Sequence, residues 1–71
     1  MNKINNKIKY YRRLKDLTQT QLADIVNITR TYVSEIENNG ANPSIAIALK
    51  IAKALDVSVH DIFFINSTLK S

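Results

Sequence analysis

Arg30, Thr31, Ser34, Glu35 and Asn38 are the residues with the most specific chemistry in this 71-residue chain. If Val33 and Ile36 point inward from a helix, Arg30, Ser34 and Asn38 stack at i, i+4 and i+8 on the opposite side, with Thr31 and Glu35 in the adjacent row. Such a face offers a two-pronged guanidinium donor, two hydroxyls, an amide and a carboxylate acceptor, all on short or planar groups. It suits hydrogen-bonded readout of a ligand edge. The alternative reading of these residues is a solvated helix face. Catalytic chemistry has little to draw on. The six carboxylates are scattered, with no pair for acid–base work. Ser34 and Ser58 have no activating base nearby in sequence. His60 is the single histidine and cysteine is absent, so neither a metal site nor a disulfide is expected. One glycine excludes a glycine-rich phosphate loop. The chain reads as no enzyme, with no cofactor and no small-molecule substrate.

Charge points to a partner. Ten Lys and Arg against six Asp and Glu give a net charge of +4. Lys3, Lys7, Lys9, Arg12, Arg13 and Lys15 all precede the first acid, Asp16. A basic cluster suits a phosphate-rich partner, although a solvated basic helix face has the same composition. The apolar share, 45%, is that of a globular chain. The length allows one domain, residues 1–71. A core of this size supplies about 3–5 kcal/mol, so idealised helix packing or self-association is expected to support it. No run reaches the roughly 18 apolar residues of a membrane span. Met-Asn-Lys-Ile-Asn-Asn-Lys lacks the apolar core of a signal peptide, so the expected location is cytoplasmic, with no membrane partner.

Five short helices account for the rest. The first runs from about Asn6 to Lys15, with Ile4, Ile8, Tyr11 and Leu14 or Lys15 as its apolar stripe. The second opens on a capping box, Thr18 to Gln21, buries Leu22, Ile25 and Val26, and stops at Asn27, which tolerates the left-handed conformation. The third starts at a Thr29 cap and ends at Asn38-Asn39-Gly40. The fourth follows Asn42-Pro43-Ser44, where Asn42 or Ser44 is the cap. From Ile45 to Leu55 it carries only Lys50 and Lys53 as charges, so it belongs in the middle of the domain. The fifth opens on Ser58-Val59-His60-Asp61. Periodicity leaves Phe63-Phe64-Ile65 open between helix and strand. A β-ribbon joining this tail to residues 2–5 stands beside the helical reading. The fold class is all-α.

The second and third helices are joined by three residues, Asn27-Ile28-Thr29. So short a turn forces a steep crossing, which needs a small residue at the contact (Ala23) and apolar anchors. In order, Gln19, Leu22, Ala23, Asn27, Ile28, Val33 and Ile36 resemble the helix-turn-helix pattern of the lambda-repressor/Cro-like, or XRE, family. Leu17-Thr18-Gln19 is similar to that family's entry to its second helix, and Ile36-Glu37-Asn38 to the exit from its third. Asn42-Pro43-Ser44, Leu55-Asp56-Val57-Ser58 and Asp61-Ile62-Phe63 are similar to its last two helices. The likeness covers about residues 6–64, with 65–71 as a polar tail. Arg30-Thr31-Tyr32 resembles the recognition-helix start of restriction–modification controllers.

The resemblance implies a compact five-helix domain that binds double-stranded DNA, with its third helix in the major groove. Arg30, Thr31, Ser34 and Glu35 would then read bases. Arg30 suits guanine O6 and N7, Glu35 suits cytosine N4, and the Thr31 methyl suits thymine. Gln19, Thr29, Tyr32 and Asn38 would contact phosphates. Arg12 would pair with Glu37 in a structural role. Asn39-Gly40-Ala41 carries fewer cations than the family usually has there, which shifts the expected phosphate affinity to helix amides, Gln19, Asn38 and the N-terminal cluster. Family members commonly act as homodimers on inverted repeats. The expected interface is Phe63, Phe64 and Ile65, with Phe63 inside and Phe64 or Ile65 across the dimer. All four apolar residues from Ile62 to Ile65 buried within one subunit is the competing arrangement. An antitoxin-like protein with a partner protein is the alternative function.

Overall fold

The computed structural model describes residues 3–66, and of residues 3–5 and 64–66 the backbone alone. The element order is β1 (Lys3–Asn6), α1 (Ile8–Leu14), α2 (Gln19–Val26), α3 (Arg30–Glu37), α4 (Ile45–Leu55), α5 (Val59–Ile62) and β2 (Phe63–Asn66). Five helices make the body of the domain, and the two strands form a single antiparallel ribbon.

Local chemistry sets the boundaries. The Thr18 side chain accepts from the Gln21 amide at 3.0 Å, and Gln21 Oε1 returns the bond to the Thr18 amide at 2.8 Å. Ser58 and Asp61 form the same reciprocal pair at the start of α5. Thr29 caps α3 through the Tyr32 amide, and Ser44 rather than Asn42 caps α4 through that of Ile47. These oxygens satisfy amides that have no acceptor within the helix. The two Ser58 hydrogen bonds, backbone then side chain, hold the Asp61 carboxyl below its ordinary value. The exits are equally regular. Asp16, Asn27, Asn39 and Asp56 follow α1, α2, α3 and α4, each with φ between 57° and 65°. Asp and Asn enter this left-handed region at lower cost than other side chains.

The core is one cluster contributed by all five helices: Ile8 from α1, Leu22, Ala23 and Val26 from α2, Val33 and Ile36 from α3, Ile51, Ala52 and Leu55 from α4, and Ile62 from α5. Ala23, 1% exposed, is the small residue of the helix-turn-helix. Several expectations fail in instructive ways. Ile25 is 58% exposed. With Ala23 inside, the buried face of α2 is centred between Leu22 and Ala23, nearly a third of a turn from Ile25 at about 100° per residue. That rotation also brings Gln19 to the inner side. Leu14 is exposed because α1 turns Ile8 and Arg12 inward. α4 is not surrounded: Ile45, 80% exposed, and Leu49 face outward. Among the described residues, the other helices pack against one side of α4 and none covers its far side.

Both chain ends depart from the helical reading. Ile4 lies in β1, so it does not extend the stripe of α1. Helix α5 stops at Ile62 and the chain continues extended through Phe63, Phe64 and Ile65. Ile4 stands opposite Ile65, and Asn6 opposite Phe63. Phe63 is half-buried against the core. The side chains of Phe64 and Ile65, and the tail 67–71, lie outside the described residues. The Lys7 amide donates to the Ile62 carbonyl at 2.8 Å, joining the ribbon to the helical body.

Candidate nucleic-acid interface

α3 exposes one polar row. Arg30, Thr31 and Glu35 are exposed, Ser34 is half-buried at the edge, and Asn38 follows the helix in the open. Val33 and Ile36 anchor the opposite side in the core. Thr29 is exposed beside this row, but its hydroxyl already serves the Tyr32 amide. The Tyr32 ring packs partly against the core, which leaves it an edge position.

Beneath the row lies a buried ionic network. Arg12 Nε donates to Glu37 Oε2 at 2.7 Å, and its Nη2 donates to Oε1 at 3.1 Å. The side chains are 9% and 2% exposed. A planar guanidinium meeting a carboxylate through two parallel bonds fixes both position and orientation. The third guanidinium nitrogen, Nη1, donates to the Leu17 carbonyl at 2.8 Å. Gln19 Nε2 donates to Glu37 Oε1 at 3.1 Å. The end of α3 is therefore tied at one carboxylate to α1, and to the start of α2. Among the described residues, no buried side-chain nitrogen or oxygen lacks a partner. Gln19 thus has an internal use that its family likeness did not suggest.

A second tie was missed in the sequence. Asn6 Nδ2 donates to the Ile36 carbonyl at 2.7 Å and to Asn39 Oδ1 at 3.1 Å, while its Oδ1 accepts from the Ile8 amide at 3.1 Å. One amide side chain thus starts α1 and closes the C-terminal end of α3. The available signal was an asparagine two residues before an apolar helix stripe, a position where its oxygen can serve a free amide.

Other chemistry is scarce. No group of three or more His, Asp or Glu among the described residues is arranged to hold a metal ion. His60 is exposed in α5. No helix among the described residues is long and apolar enough to cross a membrane.

Residues 8–62 match the sequence pattern of the helix-turn-helix family. An HTH-type transcriptional regulator of Methanocaldococcus jannaschii is 43% identical over 60 residues, covering 84% of this chain and 91% of that protein. The HTH-type transcriptional regulator SinR of Bacillus subtilis is 41% identical over 58 residues, 80% of this chain, which spans only 52% of SinR. A crystal structure of SinR in complex with DNA aligns with a TM-score of 0.72 at 42% identity, over 76% of this chain and 87% of that one. The restriction–modification controller protein C.AhdI of Aeromonas hydrophila aligns with a TM-score of 0.74 at 33% identity, over 78% of this chain and 83% of that one.

Proposed function

The chain belongs to the XRE-type helix-turn-helix family of DNA-binding transcriptional regulators, which are not enzymes, and we propose that it reads duplex DNA through the outward row of α3 as a homodimer on an inverted repeat. The observation that carries this reading is the contrast across α3. Arg30, Thr31 and Glu35 are free to solvent, while the helix beneath them is tied by Arg12, Gln19, Asn6 and the core. A reading helix needs both: groups able to meet base edges, and a fixed platform to aim them.

In this reading Arg30 bridges guanine O6 and N7, worth about 1–3 kcal/mol of discrimination. Thr31 packs its methyl on thymine, Glu35 accepts from cytosine N4, and Ser34 makes an edge contact. Gln19 keeps one amide hydrogen for Glu37 and offers the other to a phosphate. Asn38, Thr29 and Tyr32 complete the backbone contacts. One helix reads few base pairs among many competing sites, so two copies are needed, with half-sites about one DNA turn apart. The dimer interface is assigned to Phe63, Phe64 and Ile65, now as part of a ribbon rather than a helix. An isolated two-stranded ribbon is marginal in water, and a second copy would support it.

The test is a fluorescence-anisotropy titration with the duplex upstream of the protein's own gene and a scrambled duplex. Wild type should prefer the first by at least about a thousandfold. Arg30→Ala should remove most of that preference and keep weak, salt-dependent binding. Absence of binding to either duplex at low salt would overturn the reading.

A further inference from the structure

The outer side of α1 carries an apolar row that belongs neither to the core nor to the residues assigned to DNA. Tyr10 and Leu14 stand one turn apart on it, 58% and 64% exposed. With Asn6, Lys7, Lys9 and Arg13 they line an open groove of about 620 Å³ that runs to Glu37 at the end of α3. The Tyr10 ring meets Tyr11 edge-on, 5.0 Å between centroids, and Tyr11 packs against the core. The exposed ring therefore rests on a fixed neighbour. The charge along the groove is of one sign. Glu37 is the carboxylate on its wall, and it is committed to Arg12 and Gln19. Lys7 stands near the Asp61 carboxylate. Lys9 and Arg13, one turn apart and both exposed, have no hydrogen-bond or ion-pair partner among the described residues.

A single exposed apolar side chain is ordinary, but two in one groove beside two unpaired cations define a complement: apolar groups flanked by carboxylates. Three occupants lack it. A duplex backbone answers the cations with phosphate and leaves Tyr10 and Leu14 without an apolar partner. A second copy related by a two-fold axis sets Lys9 and Arg13 of both copies in one interface, where like charges repel. Residues 67–71 of this chain bring a lysine and no acidic side chain. We propose that the groove docks an acidic amphipathic helix of another protein, its apolar stripe on Tyr10 and Leu14 and its carboxylates on Lys9 and Arg13. Tyr and Arg are among the side chains that carry most energy at such interfaces. Lys9 and Arg13 also border a second groove, with Gln19 and Arg30. A docked acidic helix thus occupies cations that favour a phosphate-rich partner, and it opposes DNA binding. That opposition rests on the DNA-reading function above; the docking does not.

The probe is a fluorescent helical peptide with leucines at i, i+3, i+4 and i+7 and glutamates on either side, its helicity checked by circular dichroism. A second peptide has lysine in place of every glutamate. The proteins are the intact wild type, Tyr10→Ala, Leu14→Ala, their double variant and Leu49→Ala, each checked for an unchanged melting midpoint. Wild type should bind the acidic peptide saturably below about 1 mM and the basic one at least about tenfold more weakly. Amide NMR shifts should centre on α1. Tyr10→Ala and Leu14→Ala should each weaken the acidic peptide about tenfold, and Leu49→Ala should not. Saturating acidic peptide should weaken the upstream duplex in wild type but not in the double variant. No saturation, equal binding of both peptides, or shifts centred away from α1 would overturn the docking. So would a double variant that loses duplex binding, which would give the face to DNA, or one that turns a wild-type dimer into a monomer, which would give it to a second copy. Wild type that binds the acidic peptide but neither duplex would overturn the DNA-reading function and leave the docking standing.

Discussion

Removing the charge of Glu37 while keeping its shape, Glu37→Gln, strands the Arg12 guanidinium in a site where its side chain is 9% exposed. Breaking a buried pair from one side costs about 3–5 kcal/mol, because the remaining charge is desolvated and uncompensated. The glutamine oxygen can still accept one bond, so the lower part of that range is expected. A chain of 71 residues has roughly 4–11 kcal/mol in total, at about 0.05–0.15 kcal/mol per residue. Each kcal/mol moves the melting midpoint by about 4–8 °C at this size, so Glu37→Gln should lower it by at least about 12 °C. The assay is thermal and urea unfolding followed by circular dichroism. Its companion is the double variant Arg12→Met with Glu37→Leu, which removes both charges and should recover most of the loss. It should not recover all of it, since the Leu17 carbonyl and the Gln19 amide also lose their partner. A Glu37→Gln midpoint within a few degrees of wild type would refute the reasoning. So would a double variant no more stable than the single one.

Asn6→Ala should cost about 1–3 kcal/mol in urea melts, because the Ile36 carbonyl and the Ile8 amide both lose a partner. Asn27→Val should cost about 1–2 kcal/mol at φ 65°, whereas Asn27→Gly should leave the melting midpoint unchanged or slightly raised. Asp61 is held below its ordinary value by Ser58, so its contribution is complete above the unfolded value and is lost as pH falls through the lowered one. Melting midpoints followed down through the carboxylate range should therefore fall less steeply in Asp61→Asn than in wild type.

The parts of this fold that were legible in the sequence are those decided locally. Thr18 with Gln21, Thr29, Ser58 with Asp61, and Asn27 act on amides or dihedral angles within a few residues, and their types reveal it. What was misread depends on how elements rotate against one another. Ile25, Leu14, Ile45 and Leu49 are apolar at helical spacing, yet each lies outward. Nothing in the periodicity of one helix states which part of an apolar arc its neighbours will cover. Asn6 is the sharper omission. Its carbonyl partner Ile36 lies 30 residues away, and that partner is a backbone group, which leaves no trace in residue type. The extended run of Phe63–Asn66 was ambiguous for a related reason: a short strand with three apolar residues in a row is chosen by the partner it pairs with, here β1.

The pairing of β1 with β2 has a consequence for the order in which the protein becomes competent. Asn6, which closes the end of α3, belongs to a strand whose partner is synthesised 57 residues later (Asn6 to Phe63). Such a pairing carries the largest loop-closure cost in the domain and forms after the local helix contacts. While Phe63–Asn66 is still being made or is held inside the ribosome, α2 and α3 can assemble, but β1 has no partner to hold it. A nascent chain therefore presents α3 without its full support. The same register makes the ribbon a checkpoint on the finished molecule: a truncation or frameshift that removes β2 withdraws support from Asn6 and, through it, from the C-terminal end of α3.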